Sequence, residues 1–512
     1  MQASRPVPSR LTAAAAGIAA GGLGLGLAEL LAGLLPGAPS PILAIGTLLI
    51  ALQPPNAKQI VVDLFGTNDK AVLSVAVLIG ALALAAALGL VERRWPNWGR
   101  IGFAVLGVLV LLAAIRDPLV DLLLAAVAAA LATAASVLAL PRLMGLATPR
   151  QKEPRMLDFE RRRFLGTSLA VAGAAAVSGG VGRFLLERRA AEVASIPQVP
   201  APASAAPSPP AGSSLNVPGI TPLVIPNDQF YRIDTSLLVP HLDATTWSLS
   251  VEGMVDRPFT IDYAELLAMP LFEQYVTIAC VSNEVGGRLV GNALWRGVRL
   301  RELLDRAGVQ DGATQVVGES FDGWTAGFPT AWLDAPDREA MVAVAMNGEA
   351  LPPQHGFPAR LIVPGLYGYV SATKWLTRIR LTRLEDFDGY WVPLGWAKEA
   401  PILTQSRIDV PNYGAQLNAG MQPIAGVAWA PDRGIQAVEV QVDDGEWMPA
   451  KLSEPISEAT WVQWLVSWQA TAGPHTIRVR ATDGTGETQT DQVTRPAPDG
   501  ARGWHTIQVN IG

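Results

Sequence analysis

The chain has 512 residues and a net charge of −6; half its residues are hydrophobic and only 16% are charged. That length allows several domains, and scarce charge beside abundant apolar residues describes a membrane part joined to a soluble part. The acidic balance offers no basic footprint for nucleic acid, and a single cysteine, Cys280, excludes internal disulfides and thiolate cages.

Residues 1–145 read as a transmembrane α-helical bundle. Apolar runs occupy Leu11–Leu35, Ala71–Val91, Ile101–Ile115 and Leu119–Leu140, most of them near the ~20 residues that span a bilayer. Pro41–Leu52 is apolar but short, and Pro54-Pro55 ends it, which suits a re-entrant or interfacial segment. With that segment not crossing, Arg93-Arg94…Arg100 and Arg142…Arg163 share a side with Arg5 and Arg10, the positive-inside arrangement, and four crossings result. No histidine precedes His241, so the bundle lacks ligands for bis-histidine haem and no haem is expected. Its ionisable residues avoid helix centres, Glu29 lying near a helix end, which favours anchoring over transport.

Residues 146–195 contain Arg161-Arg162-Arg163-Phe164-Leu165 before a mild Ala/Gly/Val run. This has the form of an internal twin-arginine export signal retained as an anchor helix; the alternative is the basic flank of one more membrane helix. Residues 196–226 are rich in Pro, Ala and Ser and should form an extended tether. Residues 227–402 carry strand patterns at Trp247–Glu252, Tyr275–Ala279, Arg360–Val363 and Lys374–Leu381 and a short helix at Leu300–Ala307, an α+β domain. Residues 403–512 show short strands, a hairpin around Asp443-Asp444-Gly445, and Trp461, Trp464 and Trp468 as core candidates, a pattern expected of an immunoglobulin-like β-sandwich.

Cys280 ends a β-type run and opens the glycine-bearing turn Cys280-Val281-Ser282-Asn283-Glu284-Val285-Gly286-Gly287. A solitary cysteine is most often a small buried hydrophobe; at a strand end it can also be a nucleophile or a soft-metal ligand. None of the histidines, His241, His355, His475 and His505, lies in a partner motif for a Cys-His hydrolase.

Cys280-x-x-Asn283, Trp295-Arg296-Gly297-Val298-Arg299-Leu300, Met346-Asn347-Gly348, His355-Gly356-Phe357-Pro358-x-Arg360 and Lys374-Trp375, in that order and spacing, resemble the sulfite oxidase family of molybdenum-cofactor enzymes from about Asn227 to the C-terminus. The resemblance implies an oxidoreductase with molybdenum on one pyranopterin, ligated by Cys280. It implies cofactor-binding roles for Asn283, His355, Arg360, Lys374, Tyr231 and Asp234, with Arg232 and Asp322 as catalytic candidates near the metal. It also implies a C-terminal domain of the kind that mediates homodimers. A guanidinium suits a phosphate bidentately and a lysine supplies a point charge. The turn-forming reading of Asp322 before Gly323 stands beside its catalytic one.

One departure bears on the substrate. True sulfite oxidases carry arginines shortly after Cys-x-x-Asn, whereas this chain has Glu284 and Val285. A negative charge there disfavours an oxyanion, so strict sulfite oxidation is not expected. The sequence thus describes an anchored, extracytoplasmic bacterial enzyme moving an oxygen atom to or from a small molecule, with electrons exchanged through a separate cytochrome or quinone-linked partner. The alternative is an inactive scaffold using the same fold to bind a partner.

Overall fold

The computed structural model describes residues 8–53, 69–148, 154–191, 198–335 and 338–512; Arg5, Pro54-Pro55 and the start of the Pro/Ala stretch lie outside them. The chain divides into two units, Met1–Val193 with Thr235–His241, and Ala194–Asp234 with Leu242–Gly512.

In the first unit, α1 (Arg10–Leu34), α2 (Pro41–Ala51), α3 (Asp69–Arg94), α4 (Trp98–Ala114), α5 (Leu122–Ala147) and α6 (Pro154–Ala191) follow in order. Among the described residues four helices are long and apolar enough to cross a membrane: Arg10–Leu34, Lys70–Arg94, Leu122–Ala147 and Arg161–Arg189. Three coincide with expected crossings. The run at Ile101–Ile115 forms α4, a shorter helix of 17 residues, while the arginine-led α6 has the length of a full span.

Small residues decide how these helices pack. A Cβ at Gly17 of α1 would run into the Ala85 carbonyl of α3, and one at Gly24 would meet the Ala132 carbonyl of α5. Gly26 faces Ala175 and Gly33 faces Gly182, so α1 and α6 run parallel with their backbones close together. Gly89 of α3 meets Ala13, and Arg93 Nε donates to the Pro8 carbonyl at 2.7 Å, so α3 runs antiparallel to α1. α3 therefore starts at the end where α1 finishes. The buried Glu29 carboxylate accepts from Ser40 Oγ (2.7 Å) and Ile42 N (3.1 Å), which ties the start of α2 to that end. Arg189 of α6 donates to the Gly33 carbonyl at 2.7 Å, satisfying a C-terminal acceptor of α1.

The second unit is built on sheets. One has the order β2-β1-β10-β5-β6, using β1 (Ser248–Gly253), β2 (Phe259–Asp262), β5 (Gln315–Ser320), β6 (Thr325–Pro329) and β10 (Leu376–Thr382). Another joins β3 (Leu271–Ala279), β4 (Val290–Arg299), β7 (Met341–Met346) and β8 (Glu349–Ala350), with β9 (Arg360–Ile362) added to β7. With α7 (Tyr263–Ala268) and α8 (Leu300–Ala307) they enclose a single core containing Leu249, Trp295, Leu303, Met341 and Ile379. The strand expected from Lys374 begins at Leu376, because Trp375 sits at φ +52° and breaks the extended backbone.

The C-terminal region is β-rich. The sheet β11-β13-β17-β16 uses β11 (Gln405–Val410), β13 (Gly420–Trp429), β16 (Lys451–Leu452) and β17 (Val462–Ala470). It shares a core with β12-β19-β18-β14-β15, formed by β12 (Gln416–Leu417), β14 (Ile435–Val442), β15 (Met448–Pro449), β18 (Gly473–Asp483) and β19 (His505–Ile511). Ile424 and Trp464 from the first meet Val440, Ile477 and Ile507 from the second. Trp461 joins the larger core and Trp468 the smaller one, so all three tryptophans of this stretch serve packing.

The Pro/Ala stretch is extended but not free, in contrast to the expected tether. Ser204 bridges to Phe272, Leu215 N donates to Gln463 Oε1 (2.6 Å), Ile225 N to the Asn292 carbonyl (3.0 Å) and Trp461 Nε1 to the Leu223 carbonyl (2.8 Å). Its prolines lack N–H groups, and several of its other backbone polar groups find partners on the sheets, so a stretch unable to form a core of its own is held by an existing one.

Gly182→Ala should lower the thermal stability of the detergent-purified protein by roughly 1–3 kcal/mol, since the new Cβ meets the Glu29 carbonyl. Gly180→Ala, with open space around it, should leave melting unchanged or raise it; equal losses in both variants would refute close α1–α6 packing.

Candidate functional site

The antiparallel pairing of β3 with β4, in register Ala279↔Val290, leaves residues 280–289 as a loop that begins with Cys280. Cys280 N donates to the Leu289 carbonyl (2.9 Å), Asn283 N to the Cys280 carbonyl (3.0 Å) and Leu289 N to Asn283 Oδ1 (2.7 Å). The Asn283 oxygen is thus engaged in shaping the loop. The Cys280 residue is buried at 9% exposure.

The second wall comes from residues 353–376. Gly356, at φ +113°, packs against Lys374 and the Arg360 side chain, at a distance where a Cβ would leave only 3.0–3.2 Å. That close approach draws His355, Arg360 and Lys374 together. Trp375 holds its φ of +52° through Trp375 N to the Gly356 carbonyl (3.2 Å) and Nε1 to the Pro353 carbonyl (2.9 Å), a locally strained backbone stabilised by its surroundings.

Arg360 is 3% exposed. Its Nη1 donates to the His355 carbonyl at 3.0 Å and its guanidinium lies 5.1 Å from the Trp295 ring. Among the described residues it has no carboxylate partner, and burial lowers its pKa to about 10. His355 is likewise buried. Its Nε2 lies 2.8 Å from the Asn227 carbonyl, which can only accept, so Nε2 carries the proton. Nδ1 is then a buried acceptor without a donor among the described residues. Burial, with Lys374, Arg360 and Arg232 nearby, lowers the His355 pKa to about 4 despite its bond to Asn227.

Lys374 Nζ donates to Asp234 Oδ2 (3.1 Å) and the Gln354 carbonyl (2.9 Å), and burial brings its pKa down to about 8 against the opposing Asp234 charge. Asp234 also takes both donors of Arg232, at 2.9 and 3.3 Å, so the positive charge of Arg232 is partnered. Burial pushes the Tyr231 phenol well above its usual range; Cys280 reinforces this and Arg360 opposes it, which places all three in one electrostatic neighbourhood. Asp322 forms the turn between β5 and β6, accepting from Trp324 N at 3.1 Å. Loss of solvent around its carboxyl raises its pKa, with a further push from Asp234. Asp322 is therefore a turn-former that also borders the Arg232–Asp234–Lys374 cluster.

Three participants were not singled out by sequence reasoning. Asn227 orients His355 through its backbone carbonyl. Burial, with Cys280 adding, raises the Tyr367 phenol. Arg407, from the C-terminal region, reaches the Cys280 loop through Nη1 to the Gly287 carbonyl at 2.8 Å. Neither a carbonyl contact nor a long-range arginine contact has a local sequence signal; Tyr367 lay within the stretch between Gly365 and Lys374.

A buried guanidinium without a carboxylate, a buried ammonium and an imidazole acceptor lacking a donor, linked to the Cys280 thiol through Tyr231, suit an anionic, hydrogen-bonding group with a soft metal beside it. Residues 236–391 match the oxidoreductase molybdopterin binding domain. The uncharacterized oxidoreductase YuiH of Bacillus subtilis is 37% identical over 154 residues, 30% of this chain and 74% of that protein. Mitochondrial sulfite oxidase of Mus musculus is 30% identical over 343 residues, covering 56% of this chain and 62% of its own length. Among solved structures, the sulfane dehydrogenase SoxCD from Paracoccus pantotrophus aligns with a TM-score of 0.50 at 22% identity, over 57% of this chain and 82% of that one, a likeness of fold. The chain belongs to the sulfite oxidase family of molybdopterin-binding oxidoreductases. Membership implies molybdenum-molybdopterin as its cofactor, and the buried donors and acceptor just described fit that group.

The His355 pKa lies below that of an unfolded histidine, so protonation favours the unfolded chain. Its stabilising contribution is complete above about pH 6.5 and is lost as pH falls toward 4. The cofactor-free protein should lose melting temperature across that window, and His355→Gln should flatten the loss; an unchanged profile in the variant would remove His355 as its cause.

Proposed function

We propose that this protein is a membrane-anchored, extracytoplasmic molybdopterin oxidoreductase that moves one oxygen atom to or from a small, uncharged substrate. Molybdenum held by a pyranopterin supplies two-electron oxygen-atom transfer when bound. Cys280 would be its protein ligand. Arg360 and Lys374 would hold the phosphate, His355 Nδ1 would accept a hydrogen bond from the pterin, and Asn283, Tyr231 and Asp234 would complete the pocket. Arg232 and Asp322 would border the substrate.

The observation that carries this reading is the buried Arg360 guanidinium beside the unsatisfied His355 Nδ1. A scaffold with no ligand to bind gains nothing from that costly arrangement.

Charge distribution supports an uncharged substrate. Sulfite, named in the mitochondrial relative, is an oxyanion. Here Arg232 is partnered by Asp234, Arg407 by Asp409 and Arg502 by Asp499, while on the Cys280 loop Glu284 stands exposed nearer the thiol in sequence and Arg288 exposed at the far end. S-oxides and N-oxides fit this balance better than a dianion.

Helix directions favour the anchoring. Arg10, Arg93, Arg94, Arg100 and Arg161–Arg163 fall at one end of the bundle, which under the positive-inside rule is cytoplasmic. The five long or moderately long helices α1, α3, α4, α5 and α6 then deliver the chain to the opposite face. The Arg161-led helix would act as a twin-arginine signal for a folded domain. The same reading includes an immunoglobulin-like C-terminal sandwich serving homodimerisation, and a separate cytochrome or quinone-linked electron partner.

Protein purified from a cofactor-competent host should contain about one molybdenum and one pterin per chain, as expected for a family with one pyranopterin per metal. Cys280→Ser should abolish turnover while leaving the melting temperature nearly unchanged, and S-oxides or N-oxides should be turned over faster than sulfite. Metal-free wild-type protein, or full activity in Cys280→Ser, would overturn the assignment.

A further inference from the structure

The far end of the Cys280 loop is held by the C-terminal sheets. Gly286 stands at φ +76°, and a Cβ there would collide with the His505 imidazole at the start of β19. His505 is itself fixed, since its Nδ1 lies 2.9 Å from Ile408 N and must accept that proton. One residue along the loop, the Gly287 carbonyl accepts from Arg407 Nη1 at 2.8 Å. Arg407 is 5% exposed and has no spare group: Nε pairs with Asp409 Oδ1 (2.7 Å) and Nη2 donates to Thr221 Oγ1 (2.8 Å). Asp409 Oδ2 in turn accepts from Thr221 N at 3.1 Å. The grip is therefore a connected network in which each nitrogen of Arg407 has a partner. Between it and Cys280 lie Glu284 and Val285, the two positions where this chain departs from sulfite oxidases.

We propose that Arg407 and His505 are positioning residues for the Cys280 loop: by clamping Gly286 and Gly287 they fix Glu284 and Val285 relative to the thiol, so that the C-terminal region tunes which substrates the centre accepts. The substrate part rests on Cys280 being the metal ligand; the mechanical part does not.

Cys280 is the only cysteine, so alkylation reports on this loop alone. In full-length, cofactor-free protein, iodoacetamide labelling is limited by loop opening. His505→Ala should raise the labelling rate several-fold, and so should Gly286→Ala, with less than additive effect when the two are combined, because each disturbs the same contact. His505→Asn retains an acceptor for Ile408 N and separates the loss of that bond from the loss of the ring. Arg407→Lys keeps the charge but loses the planar fork whose three nitrogens reach Asp409, Gly287 and Thr221. In the molybdenum-loaded protein these variants should keep metal content, shift the electron paramagnetic resonance signal of the reduced centre and raise KM several-fold more than they lower kcat.

Unchanged labelling in His505→Ala and Arg407→Lys, with a wild-type resonance signal, would overturn the positioning role even if both variants melt earlier. Faster labelling in a protein whose wild type takes up no molybdenum would retain the clamp and reject the function proposed above.

Discussion

A guanidinium buried without a carboxylate is among the least favourable groups a fold can carry. At Arg360 it shapes what surrounds it. Backbone carbonyls take part of its hydrogen bonding, the Trp295 face lies beneath it, and Gly356 gives up a side chain so that His355 and Lys374 can stand alongside. Desolvation then depresses the pKa of all three. The neutral His355 and the carboxylate shared by Arg232 and Lys374 limit the accumulated positive charge. The pocket is thus stable enough to persist and electropositive enough to favour an anion.

Much of this was legible in sequence because the groups that meet a cofactor are short, chemically distinctive clusters. Cys280, Asn283, His355, Arg360 and Lys374 lie in dense motifs, and the structure brings them, with Tyr231, Arg232 and Asp234, into one region of the second unit. The grip on the loop was not legible. Arg407 and His505 act across more than a hundred residues of chain, through a backbone carbonyl and a glycine surface, neither of which leaves a mark in local pattern. Nor did composition show that the Pro/Ala stretch is docked, since a chain poor in hydrophobic side chains can still be secured by its backbone.

The helical unit teaches a related lesson. Apolar length alone identified α1, α3 and α5 but ranked Ile101–Ile115 above the arginine-led α6. What joins α6 to the bundle is a row of small residues that allow backbone contact with α1, a feature that apolar length does not report. The same packing gives physical content to the short α2: Glu29 fastens its first turn at the end where α1 finishes and α3 starts.

Parallel contact between α1 and α6 has a consequence for biogenesis. Helix α1 finds a principal neighbour only after more than a hundred further residues have been made. Until then the glycine face of α1 around Gly26 and Gly33 lacks its mate, and an early bundle is incomplete. Completion of the bundle therefore waits on synthesis of the helix bearing the paired arginines, immediately before the residues that form the sheets.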